Sequence, residues 1–184
     1  MYRDKTLIPT EAIRMLALGI LAGERMRYAE LARTVRHFAS RIVGPSLDIL
    51  GTSLELLRYE GLVEPVPDGE HAGGGLADDA LLTITAAGRA ELHTLLCSNV
   101  RAPIDDINKL VVALKMRFLH LLAPEEQREQ VLGLIELCDS ERTRLEDLLD
   151  HHGAEPGHLR PWLEHDITQL NARIDWLTRF RDTL

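Results

Sequence analysis

Four histidines, His151, His152, His158 and His165, gather around one Gly- and Pro-rich stretch, with Asp150, Glu155 and Glu164 beside them. Neutral imidazoles and carboxylates are a donor set that divalent metals accept. The spacing does not build a metal centre: no two histidines stand at helical spacing around a glutamate, and no cysteine joins them. They read as solvated loop residues whose protonation near about pH 6 could tune the stability of a dimer. Cys97 and Cys138 offer neither a metal spacing nor a disulfide framework. Both fall on apolar helix faces and read as small core residues. The segment GEHAGGG, residues 69–75, has the glycines of a phosphate loop but not the strand-to-helix setting such a loop needs. There is no nucleophile–base motif and no dinucleotide fingerprint, so neither catalysis, a metal nor a cofactor is expected.

What remains with chemistry to offer is a group of arginines, Arg25, Arg27, Arg33, Arg36 and Arg41, just ahead of a leucine-spaced segment. In Pro45–Pro65, Leu47, Leu50, Leu54 and Leu57 recur at steps of three, four and three, on one face of a helix. Asp48, Thr52, Glu55 and Tyr59 fall on the other face. Gly61 is the helix stop, because glycine adopts the left-handed backbone at little steric cost. Leu62–Val66 then reads as a strand that must turn back. A short helix, a glycine stop and a returning strand form the middle of a winged helix-turn-helix. On that reading the helix is the recognition helix, with Ser46, Asp48, Thr52 and Ser53 facing a major groove. The arginines of the preceding segment would meet DNA phosphates.

The elements that must hold this helix follow from the same periodicity. Thr10 is placed to cap a first helix whose buried stripe is Ile13, Leu16, Ala17, Ile20 and Leu21, with Gly23 at its end. GERMR is a turn into a second helix from Tyr28, with Leu31, Val35 and Phe38 inward. After the strand comes PVPDGEHAGGGLADD, then the β-prone run LLTIT and a helix starting after Thr85. The loop between the strands is the wing tip. It carries Asp68, Glu70, Asp78 and Asp79 and no Lys or Arg, so its tip should be repelled by DNA.

CSNVRAP is the linker, and helices follow it. One carries Ile104, Ile107, Leu110, Val111, Leu114, Phe118 and Leu121 and stops near Pro124. The next opens with that proline and buries Val131, Leu134, Ile135, Cys138, Leu145, Leu148 and Leu149. The last, from about Leu159, carries Leu163, Ile167, Leu170, Ile174 and Leu177 at steps of four and three, an a/d seam. These narrow stripes are best buried against a second copy, which also supplies two-fold symmetry. The fold class expected is mainly α (α+β). Residues 1–98 would form a winged helix-turn-helix DNA-binding domain, and 99–184 a bundle of long amphipathic helices used for dimerisation.

Charge bears on the partner. The net charge is −8. Residues 1–66 hold nine Lys and Arg against eight Asp and Glu, 67–100 hold one against five, and 101–184 eleven against sixteen. The segment meant to meet DNA is therefore the least acidic. Hydrophobic residues make up 45% of the chain and aromatics 4%, so its core must be built from Leu, Ile, Val and Ala. No apolar run is long enough to cross a bilayer, and Glu11 and Arg14 interrupt the apolar N-terminal stretch. No membrane association and a cytoplasmic location are expected.

The order helix, helix, LELLRYEGLVEP, loop, LTITAAGRAEL resembles the PadR family of bacterial transcription regulators. LKMRFLHLLAPEEQREQ, SERTRLEDLL and WLEHDITQLNARIDWLTRF resemble the C-terminal region of its AphA-like branch. The resemblance implies a cytosolic homodimer that binds double-stranded DNA, its C-terminal helices wrapping the partner subunit. Two features depart from the family pattern. Gly51 stands where a tyrosine is usual, costing about 1 kcal/mol of helix stability relative to alanine, and the wing lacks arginines. The alternative is a ligand-sensing or protein-interaction module on the same scaffold with weak DNA affinity. No residue identifies a small-molecule effector.

Overall fold

The computed structural model describes residues 7, 9–43, 50–66, 80–100 and 106–184. The side chains of Pro9, residues 50–53, Asp106 and Ile107 also lie outside the described set. In chain order the elements are α1 (Pro9–Gly23), β1 (Met26–Arg27), α2 (Tyr28–Val43), α3 (Leu50–Tyr59), β2 (Val63–Pro65), β3 (Leu81–Ile84) and α4 (Ala86–Leu96). They continue with α5 (Asp106–Phe118), a 3-10 turn (Leu119–Leu121), α6 (Pro124–His152) and α7 (Leu159–Arg181). Two compact units emerge, Met1–Asn99 with Ile104–Leu121 and Val100–Pro103 with Leu122–Leu184.

In the first unit α1 is the hub, packed against α2, α3, α4 and α5. Its expected stripe, Ile13, Leu16, Ala17, Ile20 and Leu21, is buried, and so are Ala12, Met15 and Leu18. A helix apolar on nearly every face belongs inside a domain rather than on its surface. The helix starts at Pro9, which places Thr10 inside the first turn rather than at the cap. Proline suits this position because its fixed φ matches the helix and its missing N–H is not needed there. A Cβ on Gly19 would lie 2.6 Å from the Phe118 ring, so the glycine lets α5 approach α1 closely.

Along α2, Leu31, Val35 and Ala39 are the buried residues. Phe38, expected inward, is only half-buried, and the Arg117 guanidinium covers its ring at 4.7 Å. On α3, Leu54 and Leu57 are buried while Glu55 and Tyr59 are exposed, as the leucine spacing requires. Gly61 has φ +70°, the left-handed backbone that ends the helix. Leu47 and the residues of the wing tip, Asp68, Glu70, Asp78 and Asp79 among them, lie outside the described residues.

The sheet has the order β1-β3-β2 and is antiparallel throughout. Val63 faces Ile84 and Pro65 faces Leu82 across the wing hairpin. The GERMR segment, expected as a turn, supplies β1, with Met26 opposite Leu82 and Arg27 opposite Leu81. Two residues carry no period of their own, and pairing with β3 is what makes them a strand. Three strands beside the α1–α3 bundle, with β2 and β3 as the hairpin, make this a winged helix.

α5 packs on α1 and α2 through Leu110, Val111, Leu114 and Phe118. Sequence periodicity had grouped it with the C-terminal helices, yet by packing it belongs to the first unit. Ile104 lies outside the described residues. The expected stripe ends one turn early: the 3-10 turn rotates the chain so that Leu119 and Leu122 are buried and Leu121 is exposed. The second unit is the α6–α7 hairpin. Its α6 opens with Pro124, and the Glu126 carboxylate accepts the Ala123 N–H at 3.0 Å. Val131, Leu134 and Cys138 are its buried residues.

Candidate nucleic-acid interface

The amphipathic character of α2 explains where its arginines go. Leu31, Val35 and Ala39 turn one face into the core, which leaves Arg33, Arg36, His37 and Arg41 exposed on the other. Arg25, in the turn before β1, is exposed as well. None of Arg25, Arg33, Arg36 and Arg41 makes an ion pair or side-chain hydrogen bond among the described residues. Glu30 stands three residues before Arg33, at a spacing that allows pairing on a helix, yet no ion pair joins them. Arg27 is exposed on β1 but already interacts within the chain. Four of the five predicted arginines therefore present guanidinium groups with no internal anion among the described residues. An exposed fork of N–H donors on a rigid helix is suited to phosphate oxygens.

Of the predicted groove residues, Ser46 and Asp48 lie outside the described residues. Thr52 and Ser53 are within α3, but their side chains are not described. What is described is how α3 is held. Arg14 of α1 meets Glu60, just past the end of α3, through two nitrogen–oxygen pairs, one of them 3.3 Å. The same guanidinium lies 3.5 Å from Glu91 of α4. Partly exposed pairs of this kind contribute up to about 1 kcal/mol, but the two-pronged geometry ties α1, α4 and the end of α3 at one point.

The root of the wing is clamped by a second device. The Thr85 hydroxyl oxygen accepts the Gly88 N–H at 3.0 Å, capping α4. It also donates to the Gly61 carbonyl at 2.8 Å, while the Thr85 N–H donates to the Leu62 carbonyl at 3.1 Å. Gly88 is needed because a Cβ there would stand 2.1 Å from the Leu62 carbonyl oxygen. Thr85 and Gly88, the first and last residues of Thr-Ala-Ala-Gly, thus fasten the α3–β2 turn to the start of α4.

On α7, Leu163 and Leu177 are already buried within this one chain, while Ile167, Leu170 and Ile174 are half-buried. The a/d seam serves first to pack α7 on α6. The large apolar side chains left exposed on the hairpin are Leu132, Trp162 and Trp176. The Trp176 ring stacks on Phe180, with centroids 5.3 Å apart. Near the hairpin tip, His151 lies 3.4 Å from Asp147 and His152 2.7 Å from Glu155. A hydrogen bond to the Asp147 backbone, and then the Asp147 charge, raise His151 above the usual imidazole range. His158 and His165 are exposed. Among the described residues these histidines do not converge on a common point with a third donor.

Two residues that matter here escaped the sequence reading. Arg14 was visible only as a charge breaking an apolar run. Lys115 lies within the apolar stripe of α5 and is 1% exposed. The signal available for both was a cation among residues destined for the core, which implies a partner without naming it.

A model of AphA-like transcriptional regulators matches residues 2–181. No curated protein sequence matches the chain. Similar solved structures include smu.1604c from Streptococcus mutans UA159, 17% identical over 90% of this chain and 96% of that one, with a TM-score of 0.38. Another is Bacillus subtilis PadR in complex with operator DNA, 15% identical over 92% and 97% of the two chains, with a TM-score of 0.37. The same PadR in complex with p-coumaric acid is 14% identical over 94% and 98%, with a TM-score of 0.39. No helix among the described residues is long and apolar enough to cross a membrane. Since the family match runs almost from end to end, this winged-helix protein belongs to the AphA-like transcriptional regulators.

Proposed function

We propose that the protein regulates transcription by binding double-stranded DNA directly, as a cytoplasmic homodimer on an operator with two related half-sites. The observation that carries this reading is the exposed face of α2, where Arg33, Arg36 and Arg41, with Arg25 nearby, have no carboxylate partner among the described residues. On DNA these guanidinium groups would neutralise phosphates and release counterions. They would set the register of α3, and Ser46 and Asp48, which precede it in sequence, are proposed to read the major groove together with its Thr52 and Ser53. Residues 1–98 would supply the DNA-binding domain and 99–184 the dimerisation helices. Pairing of two α6–α7 hairpins would cover Leu132, Trp162 and Trp176, with the accessible parts of Ile167, Leu170 and Ile174. Leu163 and Leu177 would support that surface from beneath.

Affinity for genomic DNA fragments measured across salt concentrations tests the reading. A regulator meeting several phosphates loses affinity with a log–log slope near about −0.9 per contact. The double variant Arg33→Glu, Arg36→Glu should lose most of that slope. Equal slopes for the variant and the parent protein would remove the phosphate role. The acidic residues of the wing, Asp68, Glu70, Asp78 and Asp79, favour the rival reading, a sensing or protein-interaction module. Salt-independent or absent DNA binding by the dimer would support that rival. Trp162→Glu with Trp176→Glu should yield a monomer in sedimentation if the proposed dimer face is correct.

A further inference from the structure

Among the described residues of α5, the two with exposed side chains are both cations, Lys109 and Arg117. Arg117 lies in the last turn of the helix and makes no ion pair among the described residues. Residues 107–124 contain no acid, so pairing at helical spacing is closed to it. Its guanidinium lies instead over the Phe38 ring of α2, at 4.7 Å, with the Phe118 ring at 5.1 Å. Stacking uses the flat face of the group and leaves its N–H donors, which lie in the plane, free of the ring. The side chain is thereby held in one place while its charge and its donors stay unmatched. Its location continues a pattern already present on α2. At about 100° per residue, Arg36, Arg33, His37 and Arg41 follow one another around that helix, and Phe38 comes next, at the border of the buried face. Arg117 therefore stands at the end of the arc, supplied by a different helix. Arg41 is one turn beyond Phe38 on α2, and Glu30, the only acid in α2, is two turns before it. Two guanidinium groups beside one ring, with no carboxylate nearby on either helix, are balanced best by an external anion.

We propose that Arg117, stacked on Phe38, is a DNA-phosphate contact, so that the surface meeting the duplex continues from α2 onto α5. The inference rests on the DNA-binding reading and enlarges the surface that reading assigns. A phosphate diester offers two oxygens that a guanidinium edge can meet with two N–H donors. Stacking has already restricted the side chain before DNA arrives, so less conformational freedom is lost on binding. The same stacking explains why Phe38 is only half-buried: its ring serves as a platform for the cation as well as a part of the core.

The test measures binding of the full-length protein to a random-sequence DNA duplex across salt concentrations. Arg117→Gln should lower the log–log slope by about 0.9, one phosphate contact, and weaken binding about tenfold at about 0.1 M salt. Arg117→Lys keeps the charge but not the flat stack, and should retain most of the slope. Arg144→Gln removes the same charge from an arginine already paired with Glu141 and should leave the slope unchanged. A slope as low in Arg117→Lys as in Arg117→Gln would trace the effect to lost packing of α5 on α2 and overturn the proposal. So would an equal fall in Arg144→Gln, which would reduce it to net charge. If Arg117→Gln keeps the parent slope while Arg33→Glu with Arg36→Glu flattens it, this inference fails and the DNA-binding reading stands. If the parent protein itself shows no salt-dependent binding, that reading fails and this inference with it.

Discussion

Arginine is used in two different ways on α2 and on the α6–α7 hairpin. Along α2, Arg33, Arg36 and Arg41 stand exposed without a carboxylate partner among the described residues. On the hairpin, Arg128 pairs with Glu125, Arg142 with Asp139 and Glu146, Arg144 with Glu141, and Arg160 with Glu164. These pairs lie three or four residues apart, where helical side chains are neighbours. Each contributes little to stability, but together they leave these four arginines with no charge to spare. On α2 the positions around Arg36 and Arg41 hold no acid at all. Arginines already matched to carboxylates have no charge left for an external anion, whereas unmatched ones are free to balance theirs on one. Helix-local spacing of acids thus separates the two sets of arginines.

The sharpest way to break this comparison is charge reversal on both surfaces. Arg33→Glu with Arg36→Glu should cost DNA affinity at least about a hundredfold at low salt, with a salt slope flattened by about two phosphate contacts. Arg144→Glu and Arg160→Glu, on the hairpin, should leave that slope unchanged. A similar loss from both sets would mean that net charge alone governs binding.

Gly88→Ala comes next, because it separates the units by stability. Its Cβ would stand 2.1 Å from the Leu62 carbonyl oxygen, so the α3–β2 turn must be displaced. A loss of about 3 kcal/mol or more is expected, at the upper end of overpacking costs. Chemical denaturation followed by Trp fluorescence checks it. Both tryptophans are on α7, so an early loss of far-UV circular dichroism ahead of the fluorescence change would localise the damage to the first unit.

Lys115 gives a pH test of comparable size. Burial holds it at about 8 instead of 10.5. Between those values the unfolded chain keeps a proton that the folded chain has released, so stability rises with pH through the window. The full gain is about 3 kcal/mol at most. Denaturation midpoints compared between the parent protein and Lys115→Met should show the slope in the parent only.

The smallest effects belong to the paired arginines themselves. Arg144→Ala should alter stability by about 0.5 kcal/mol or less, because its pair with Glu141 is exposed. His151, hydrogen-bonded at Asp147, should titrate above 6.5 in an NMR pH series. Whatever stability its protonation contributes is present at low pH and fades as pH rises through its folded-state value.

Much of the architecture was legible in the order of residues, and for local reasons. The leucine spacing of α3, the left-handed Gly61, the Thr85 cap and the apolar stripes of α6 and α7 are each set by residues within one or two turns of one another. A helix or a turn is determined over that range. The arginine-rich face of α2 could be anticipated in the same way, since burying Leu31 and Val35 obliges Arg33 and Arg36 to point outward.

What only the tertiary structure decided is every feature whose partner is remote in sequence. Met26 and Arg27 became a strand because β3 lies beside them. Arg14 found Glu60 and Glu91, Lys115 found the Leu96 carbonyl, and α5 joined α1 and α2 rather than the helices after it. Periodicity tells a helix which face to bury but not against which neighbour. A lone cation in an apolar stripe tells that an acceptor is required but not where it lies. Those choices depend on distances between segments that only a folded chain brings together.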